Sequence, residues 1–208
     1  IGSGLVGSEM CIRDRYEDKF PQGRALYLYM AIHPGKMLDF MGNEFGQLRE
    51  YDESREQDWL LLDYPIHEAF ANYRRTLNEL YQKYDAFWSG EYNPDHFLWL
   101  DCDHPELDAC AILRKGQEAT VFAAFNFGDT ELKDYELTLP GKGRITPLLN
   151  SDWNCFGGRT ARPKALRSKT TAGSVKLTLA PYSAQLYRFE PAVEKETKAT
   201  PHNSRLTA

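Results

Sequence analysis

A change in hydrophobic pattern near Phe87 divides the sequence into two parts that are expected to fold differently. Before Phe87, apolar residues recur every three or four positions between Ile66 and Tyr84, which predicts one amphipathic helix beginning at Pro65. After Phe87, short apolar runs are separated by Gly, Pro, Asp and Asn, as in "PGKG" and "NSD". That spacing is typical of the short strands of an antiparallel β-sandwich.

The first part contains two further predicted elements. Helical spacing predicts a helix from Pro21 to His33, and Met37–Met41 is predicted to be a short strand leading into an acidic loop that ends near Asp63. The second part contains six predicted strands: Phe97–Leu100, Ala109–Leu113, Thr120–Phe127, Tyr135–Leu139, Val175–Leu179 and Leu186–Phe189. The predicted fold class is therefore α/β plus all-β, and the polar tail of residues 191–208 is predicted to be disordered.

Aromatic residues are frequent, and most are interpreted as core. The aromatic stripe of the helix at Pro65 is expected to pack inside the protein rather than to form a ligand site. Its charged residues are predicted to lie on the opposite side of the helix: Arg74, Arg75, Glu79 and Lys83. Three tryptophans are expected in the core or at a domain interface rather than as platforms for a ligand: Trp88, Trp99 and Trp153.

The composition argues against several classes of partner. A net charge of −5 disfavours nucleic acid or an anionic membrane as the main partner. No run approaches the roughly 18 apolar residues of a membrane-spanning helix. The 4 cysteines form no Cys-x-x-Cys pair and have no histidine cluster at zinc-ligand spacing, so no metal is expected. The stretch "DCDH" (Asp101–His104) is interpreted as a polar turn, and reduced thiols of this kind indicate a cytoplasmic protein.

The first 15 residues are expected to be foreign to the protein. The nucleotides CTC GTG GGC TCG GAG ATG TGT ATA AGA GAC encode Leu5 through Asp14 in order. This string resembles a transposon-type sequencing-library adapter translated in frame. Residues 1–15 are therefore excluded from the fold prediction, and the natural start of the protein is expected to be missing.

Several motifs follow one another in a characteristic order. They are "HPGKMLDFMGNEFGQ", "DW" with "LLDY", "FNF", "LLNSD" with "FGG", and "LTLAPYSAQLY". In this order they resemble the C-terminal third of bacterial-type glycogen (1,4-α-glucan) branching enzymes, which are members of the α-amylase superfamily. The resemblance runs from Tyr16 to about Glu190, and "FMGNEFGQ" is its most specific motif. Asp39 departs from the pattern, because the family often has an apolar residue there.

The resemblance implies an architecture and a location for the chemistry. Residues 16–87 would be the tail end of a (β/α)8 barrel, with Met37–Met41 as its last strand, and residues 88–190 would be the superfamily's C-terminal β-sandwich. The family carries out retaining transglycosylation with an Asp nucleophile, a Glu acid/base and a stabilising Asp, all on earlier barrel strands. No catalytic residue is therefore assigned in this chain, which is expected to be inactive alone.

The acidic stretch Met37–Trp59 holds the candidate substrate-binding residues, because the resemblance places it beside the glucan cleft. Glu44 is the first candidate, since a carboxylate at a strand end can hydrogen-bond sugar hydroxyls. The further candidates are Asn43, Gln47, Asp52, Asp58 and Trp59. Trp59 would either stack against a sugar or pack the loop onto the barrel. The remaining loop acids are interpreted as a solvated face: Glu50, Glu53 and Glu56.

The resemblance implies an α-glucan (glycogen) as the partner, no metal or organic cofactor, and a monomer. Two other interpretations stay open. One is a non-catalytic glucan-binding module, in which the β-sandwich is free-standing and carries a helical accessory. The other is a fragment of an amylase or debranching hydrolase from the same superfamily.

Overall fold

The computed structural model describes residues 16–192. The expected adapter at residues 1–15 lies outside the described residues, and so does the predicted tail from residue 193 onwards. The description therefore concerns the two helices, the acidic loop and the β-domain.

Two helices form the first part. Helix α1 spans Tyr16–Ile32 with Pro21 inside it, and helix α2 spans Pro65–Lys83 with its proline at the first turn, where no intrahelical amide bond is lost. Both predicted helices are confirmed. The helices pack through aromatic side chains: the Tyr27 and Phe70 rings meet edge to face at 5.9 Å between centroids, and the Tyr73 hydroxyl donates to the Arg24 carbonyl at 2.6 Å.

The predicted strand at Met37–Met41 is wrong for the described part of the chain. The segment is irregular and pairs with no strand among residues 16–192, and Met41 already belongs to the following turn. A strand requires a neighbour that accepts and donates its ladder hydrogen bonds, and the six-stranded and two-stranded sheets are both built from later residues. The apolar run alone could not reveal that no partner is present.

Eight antiparallel strands form the second part: β1 Phe97–Asp101, β2 Ala109–Lys115, β3 Thr120–Asn126, β4 Leu132–Thr138, β5 Gly143–Asn150, β6 Lys169–Thr171, β7 Ser174–Leu179 and β8 Ser183–Pro191. They make a six-stranded sheet in the order β1-β2-β3-β8-β5-β6 and a two-stranded sheet of β4 and β7. The six predicted strands are confirmed, whereas β5 and β6 were missed.

The six-stranded sheet has an apolar core on each face. On one face, Leu113, Phe122 and Phe189 pack against Leu137 and Leu177 of the two-stranded sheet, which makes the predicted sandwich. On the other face, Ile112, Ala123 and Leu186 pack against the helices. Because successive side chains of a strand point to opposite faces of the sheet, both faces of the central strands are buried.

Two charged side chains fasten the helices to the β-domain. Asp85, just after α2, accepts hydrogen bonds from three successive amides of the β2–β3 turn, including Glu118 N at 2.9 Å and Ala119 N at 3.0 Å. Arg114 of β2 is fully buried and donates to the Ile32 carbonyl at the end of α1, at 3.0 Å. Charged donors and acceptors make stronger hydrogen bonds than neutral ones, so these contacts fix the junction.

Candidate functional site

A tight turn, Gly42–Gln47, carries the first two candidate residues. Asn43–Phe45 is a short 3-10 helix between Gly42 (φ 89°) and Gly46 (φ 70°), and Gln47 N donates to Gly42 O at 2.8 Å. A Cβ on Gly42 would lie 2.8 Å from Gln47 Cβ, so the position excludes a side chain as well as favouring glycine's backbone freedom. Glu44 folds back onto the turn, because its Oε2 accepts from Gly42 N at 2.9 Å.

The turn is held against the helices by Phe45. Its side chain is buried, and its carbonyl accepts a hydrogen bond from His67 Nδ1 of α2 at 2.8 Å. A carbonyl can only accept, so the proton of the His67 ring lies on Nδ1. This contact fixes the position of Asn43 and Glu44 relative to α2. Both residues are half-buried.

Gln47 closes the acidic loop. Its side chain is 4% exposed, its Nε2 donates to Arg49 O at 3.1 Å, and its Oε1 accepts from Asp58 N at 2.9 Å. Both ends of the amide are therefore used within the protein. The structure brings Gln47 and Asp58 together, as two ends of one loop.

Arg49 holds the Asp58 carboxylate in a two-pronged contact. Arg49 Nε lies 3.2 Å from Asp58 Oδ2, Nη2 lies 3.0 Å from Oδ1, and Nη2 also donates to Glu56 O at 2.8 Å. The hydrogen bond from Arg49 lowers the pKa of Asp58 below its ordinary value. Asp58 is therefore an ionised hydrogen-bond acceptor. A general acid must instead stay protonated, which needs a raised pKa.

Asp52 has a separate local role. Its Oδ1 accepts from the Ser54 hydroxyl at 2.6 Å and from the Ser54 amide at 2.9 Å, and its Oδ2 lies 3.4 Å from Arg55 Nε. The hydroxyl hydrogen bond, followed by the amide, lowers the pKa of Asp52. Side chain and backbone thus form a turn of the kind that Asp favours in loops.

Trp59 presents an open aromatic surface at the end of the loop. Its side chain is 47% exposed, and its ring centroid lies 5.1 Å from that of Phe45, tilted by 38°. The following residues Leu60 and Tyr64 are also exposed. Trp59 therefore both packs the loop onto the turn and leaves part of its ring accessible.

The buried residues Arg74 and Tyr27 form, with Asp39 at the surface, a cluster that the sequence did not predict. The Arg74 side chain is 2% exposed. Its Nη2 donates a hydrogen bond to Asp39 Oδ2, and its guanidinium carbon lies 3.7 Å from the centroid of the Tyr27 ring. Burial, followed by the charge of Asp39, raises the pKa of Tyr27. The prediction of Arg74 on the solvent side of α2 is wrong, because the Asp39 carboxylate and the Tyr27 ring draw it inward.

The other side of the extended segment is apolar and open. Asp39 points to α2, whereas Leu38 is 75% exposed and Phe40 is 45% exposed, as expected for neighbours on an extended chain. Met41 is also more than half exposed. Phe40 also has contacts within the chain, because its ring lies 5.0 Å from that of Tyr51 and its carbonyl accepts from Asn43 N at 2.9 Å.

The prediction for the tryptophans is right for one of three. Trp153 is buried against Phe156, with 6.2 Å between ring centroids. Trp88 and Trp99 are 48% and 39% exposed, so their placement in the core or at an interface is wrong for the described residues. Trp88 follows the short helix Asp85–Phe87, and Trp99 lies on the edge strand β1, where fewer neighbours can cover a large ring.

Two motifs of the β-domain have structural roles. Asn126 of "FNF" is fully buried, donates to Ala180 O at 2.9 Å and accepts from Gly128 N at 3.0 Å. Asp152 of "LLNSD" accepts from Thr160 Oγ1 at 2.5 Å and from Arg159 N at 3.2 Å. A Cβ on Gly158 would lie 2.0 Å from Asp152 O, which explains a glycine there. These polar residues satisfy loop amides and hydroxyls inside the domain.

Within residues 16–192, no cluster of three or more His, Cys, Asp or Glu side chains could hold a metal ion. The same described residues include no helix that is long and apolar enough to cross a membrane. The stretch Asp101–His104 forms the predicted polar turn, with Asp103 N donating to Asp101 Oδ1 at 3.3 Å.

The fold and the site define a helical segment with an acidic loop, joined to an antiparallel β-domain. Residues 99–190 match the family described as alpha amylase, C-terminal all-beta domain, and this part of the chain is a domain of that class. The overall fold is also similar to that of a trehalulose synthase mutant in complex with Tris, with a TM-score of 0.55, 16% identity, and coverage of 86% of this chain and 40% of that one.

The relatives extend the likeness beyond the β-domain. The chain is 33% identical over 181 residues to the 1,4-alpha-glucan branching enzyme GlgB of Bacillus cereus (strain Q1), covering 83% of this chain and 28% of that protein. It is 40% identical over 136 residues to the same enzyme of Nocardia farcinica (strain IFM 10152), covering 65% of this chain and 18% of that protein. The resemblance to branching enzymes is confirmed, and the chain spans less than a third of either relative.

Proposed function

We propose that this chain is the C-terminal part of a 1,4-α-glucan branching enzyme, which cleaves α-1,4-linked glucan segments and rejoins them through α-1,6 bonds. The observation that carries the proposal is the extent of the likeness to the Bacillus cereus enzyme. The alignment covers 181 residues, whereas the β-domain match covers residues 99–190 only. The likeness therefore includes the acidic loop and helix α2, which a shared β-domain alone would not explain.

The first part of the chain is, in this proposal, the end of a (β/α)8 barrel. The segment at residues 37–41 supports it, because exposed apolar side chains just before a tight turn fit the place of a last barrel strand whose neighbour is elsewhere. Asp39 would anchor that strand to α2 through Arg74. Leu38 and Phe40 would face the rest of the barrel.

The loop after this strand would border the glucan cleft, since barrel active sites lie at the carboxyl ends of strands. Asn43, Glu44 and Trp59 are proposed to contact the glucan: the first two stand on the rigid turn, and Trp59 offers an open ring. Gln47, Asp52 and Asp58 remain candidates, but hydrogen bonds within the loop occupy their polar groups. We propose that these three hold the loop in shape.

Retaining transfer needs a nucleophilic carboxylate and a carboxylic acid about 5–5.5 Å apart. The pKa values of Asp52 and Asp58 are lowered, which disfavours both as the acid. The resemblance to branching enzymes implies that the catalytic acids lie on earlier barrel strands, and the proposal accordingly places the catalytic pair outside this chain. The chain alone is expected to form no α-1,6 bonds.

A chimera tests the proposal. Residues 16–192 would replace the aligned segment of the Bacillus cereus enzyme, and branching of amylose would be followed by loss of the iodine colour and by release of reducing ends. We expect branching without a matching rise in reducing ends. A folded chimera that only released reducing ends would indicate a hydrolase, and one with no activity on glucan would reject the proposal.

A glucan-binding module is the second candidate, and the open faces of Trp59, Trp88 and Trp99 favour it. It predicts that the 208-residue chain is retarded in a native gel containing glycogen. Substitution Trp99→Ala or Trp59→Ala should abolish the retardation, whereas Trp153→Phe, at a buried position, should preserve it. Unchanged mobility of the chain with and without glycogen would reject this candidate.

A further inference from the structure

Two cysteines flank the loop that connects β1 and β2. Cys102 directly follows β1, and Cys110 is the second residue of β2. The ladder pairs Asp101 with Ala111. The ladder ends at this pair, which follows a register shift between Trp99 and Asp101. In an antiparallel pair, one step forward on one strand meets one step back on the other, so the same register carried one residue past β1 would bring Cys102 opposite Cys110.

The spacing of such a pair suits a disulfide. Directly opposed residues of antiparallel strands have Cα atoms about 4.5–5.5 Å apart. A disulfide needs Cα atoms about 4.4–6.8 Å apart. Carried one residue beyond β1, the register would therefore place the two residues within bonding range.

The side chains also share one face of the sheet. Asp101 faces the two-stranded sheet, where its Oδ2 accepts from the Tyr135 hydroxyl at 2.5 Å. Continued alternation would turn the next residue, Cys102, towards the opposite face, where Cys110 packs beside the helices. In this structure the Cys102 thiol is exposed and donates to Asp103 Oδ1 at 3.7 Å. Burial, followed by the charges of Asp101 and Cys102, raises the pKa of Cys110 to about 11, which agrees with two neighbouring sulfurs.

We propose that Cys102 and Cys110 are a reversible thiol–disulfide site that closes the loop between β1 and β2. Both are free thiols in this structure, Cys102 exposed and Cys110 half-buried. Nothing in the proposed branching function requires this pair. The inference stands on the strand register alone and is independent of that function.

The reaction needs an oxidant, and a small disulfide such as oxidised glutathione supplies it. The exposed Cys102 thiolate attacks one sulfur of the oxidant, forms a mixed disulfide and releases one glutathione thiolate. Cys110 then loses its proton and attacks the Cys102 sulfur, which releases the second glutathione. Two protein thiols lose two electrons and two protons, and one glutathione disulfide becomes two thiols.

Two features make the site responsive to conditions rather than permanently closed. The exposed end of the hairpin admits small thiols, which can reverse the bond. The pKa values of both thiols are raised, by burial and by the carboxylates of Asp101 and, for Cys102, Asp103. Because the thiolate is the reactive form, bond formation accelerates as the pH rises.

The closed form would stiffen one edge of the β-domain. The disulfide would tie the loop that contains His104 and Glu106 to the end of β1, the strand that carries the open Trp99 ring. A short closed loop of this size stabilises a domain modestly, and we expect the melting temperature to rise by about 5 °C on oxidation.

The test uses the 208-residue chain carrying Cys11→Ser, which leaves three cysteines. The protein is incubated with oxidised glutathione at pH 7 and at pH 8.5, alkylated, digested and analysed by mass spectrometry without reduction. We expect one peptide pair linked through Cys102 and Cys110, formed faster at pH 8.5 and opened by reduced glutathione.

Matched variants decide between this site and unspecific oxidation. Cys155→Ser is the control and should form the same linkage with the same rise in melting temperature. Cys102→Ser and Cys110→Ser should give no internal linkage and no rise. A linkage to Cys155 in the parent chain, or a stable glutathione adduct on Cys102 with Cys110 still free, would overturn the proposal.

Discussion

Arg74 of helix α2 donates a hydrogen bond to the carboxylate of Asp39 in the extended segment, and so joins the helical part to the strand-like stretch before the acidic loop. Arg74 is almost fully buried, whereas Asp39 is 29% exposed. A buried guanidinium keeps its charge, so its partner matters more than in a surface pair. This one contact orients the segment whose apolar side is open.

Asp39→Asn should destabilise the chain by about 2 kcal/mol, because Arg74 would keep its buried charge without a full counter-charge. Urea unfolding measures the change. Glu53→Gln is the control: it removes an exposed carboxylate on the solvated side of the acidic loop, and it should leave the unfolding midpoint unchanged. Equal midpoints for Asp39→Asn and the parent would show that the buried pair does not anchor the segment.

Asp85→Asn should cost about 1–2 kcal/mol of stability, since one charged acceptor for three turn amides would become a neutral amide with a single acceptor. Thermal unfolding checks this value, with Asp95→Asn as a control on a neighbouring turn. Hydrogen exchange should accelerate at Glu118 and Ala119 in the Asp85 variant. Unchanged exchange there would contradict the clamp.

The acidic loop predicts a specific titration. The Asp58 pKa lies below its ordinary 3.8 because Arg49 hydrogen-bonds the ionised form, so Arg49→Gln should move it back towards that value. Ser54→Ala should instead raise the pKa of Asp52 and leave that of Asp58 in place. Carbon-13 NMR of the carboxyl groups measures both.

The same shifts set the direction of the acid dependence. A lowered folded-state pKa means that the stabilisation is present above the unfolded value, near 3.8, and is lost as the pH falls through the folded value. Loop contacts should therefore weaken only in strong acid. A midpoint for Asp58 above 3.8 would contradict the Arg49 contact.

Four tyrosines make the protein sensitive to alkali. Burial raises the pKa values of Tyr27, Tyr73 and Tyr135, and that of Tyr187 to about 12. The unfolded chain releases these protons near pH 10, whereas the folded chain retains them. The free energy of unfolding should therefore fall as the pH rises above about 10.

Tyr187→Phe isolates one of these contributions. The Tyr187 ring stacks on Phe122 at 4.9 Å between centroids, and its hydroxyl donates to Gln185 Oε1 at 2.5 Å. Denaturant unfolding at a series of pH values should show a shallower decline for Tyr187→Phe between pH 10 and 12. If the free energy of unfolding of the variant declined as steeply as that of the parent, Tyr187 would have the same pKa in the folded and the unfolded chain.

The sequence predicted the elements with strong periodicity and missed those decided by distant contacts. Helix α2 and strand β3 carry clear patterns, and both were found. Strand β5 contains Pro147, which argues against an inner strand, yet the pairing of β5 with β8 shifts register between Pro147 and Leu149 and so accommodates a residue without an amide proton. Local sequence contains no sign of that irregularity.

The candidate site shows the same division. The acidic character of the loop was evident from residue types, whereas the tight turn between Gly42 and Gly46 was not predicted. The pairing of Asp58 with Arg49, and that of Asp39 with Arg74 across 35 positions, depend on how the chain returns on itself. The departure of Asp39 from the family pattern was the one available signal of the buried cluster, because an acid within an apolar run requires a partner.

Residues proposed to contact glucan can be tested within the chimera. Glu44→Gln and Trp59→Ala should each lower kcat/KM for amylose about tenfold, through loss of a charged hydrogen bond and of ring stacking respectively. Glu53→Gln, on the solvated side of the loop, is the matched control and should retain the parent value. Full activity of the Glu44 and Trp59 variants would remove both from the proposed cleft.

The most direct measurement is the proton NMR signal of α-1,6 linkages formed from linear amylose, recorded for the 208-residue chain and for the chimera that carries residues 16–192. We expect new α-1,6 signals with the chimera and none with the chain alone. New α-1,6 signals from the chain alone would contradict the placement of the catalytic acids outside it. A folded chimera that forms none would contradict the proposed place of this chain in a branching enzyme.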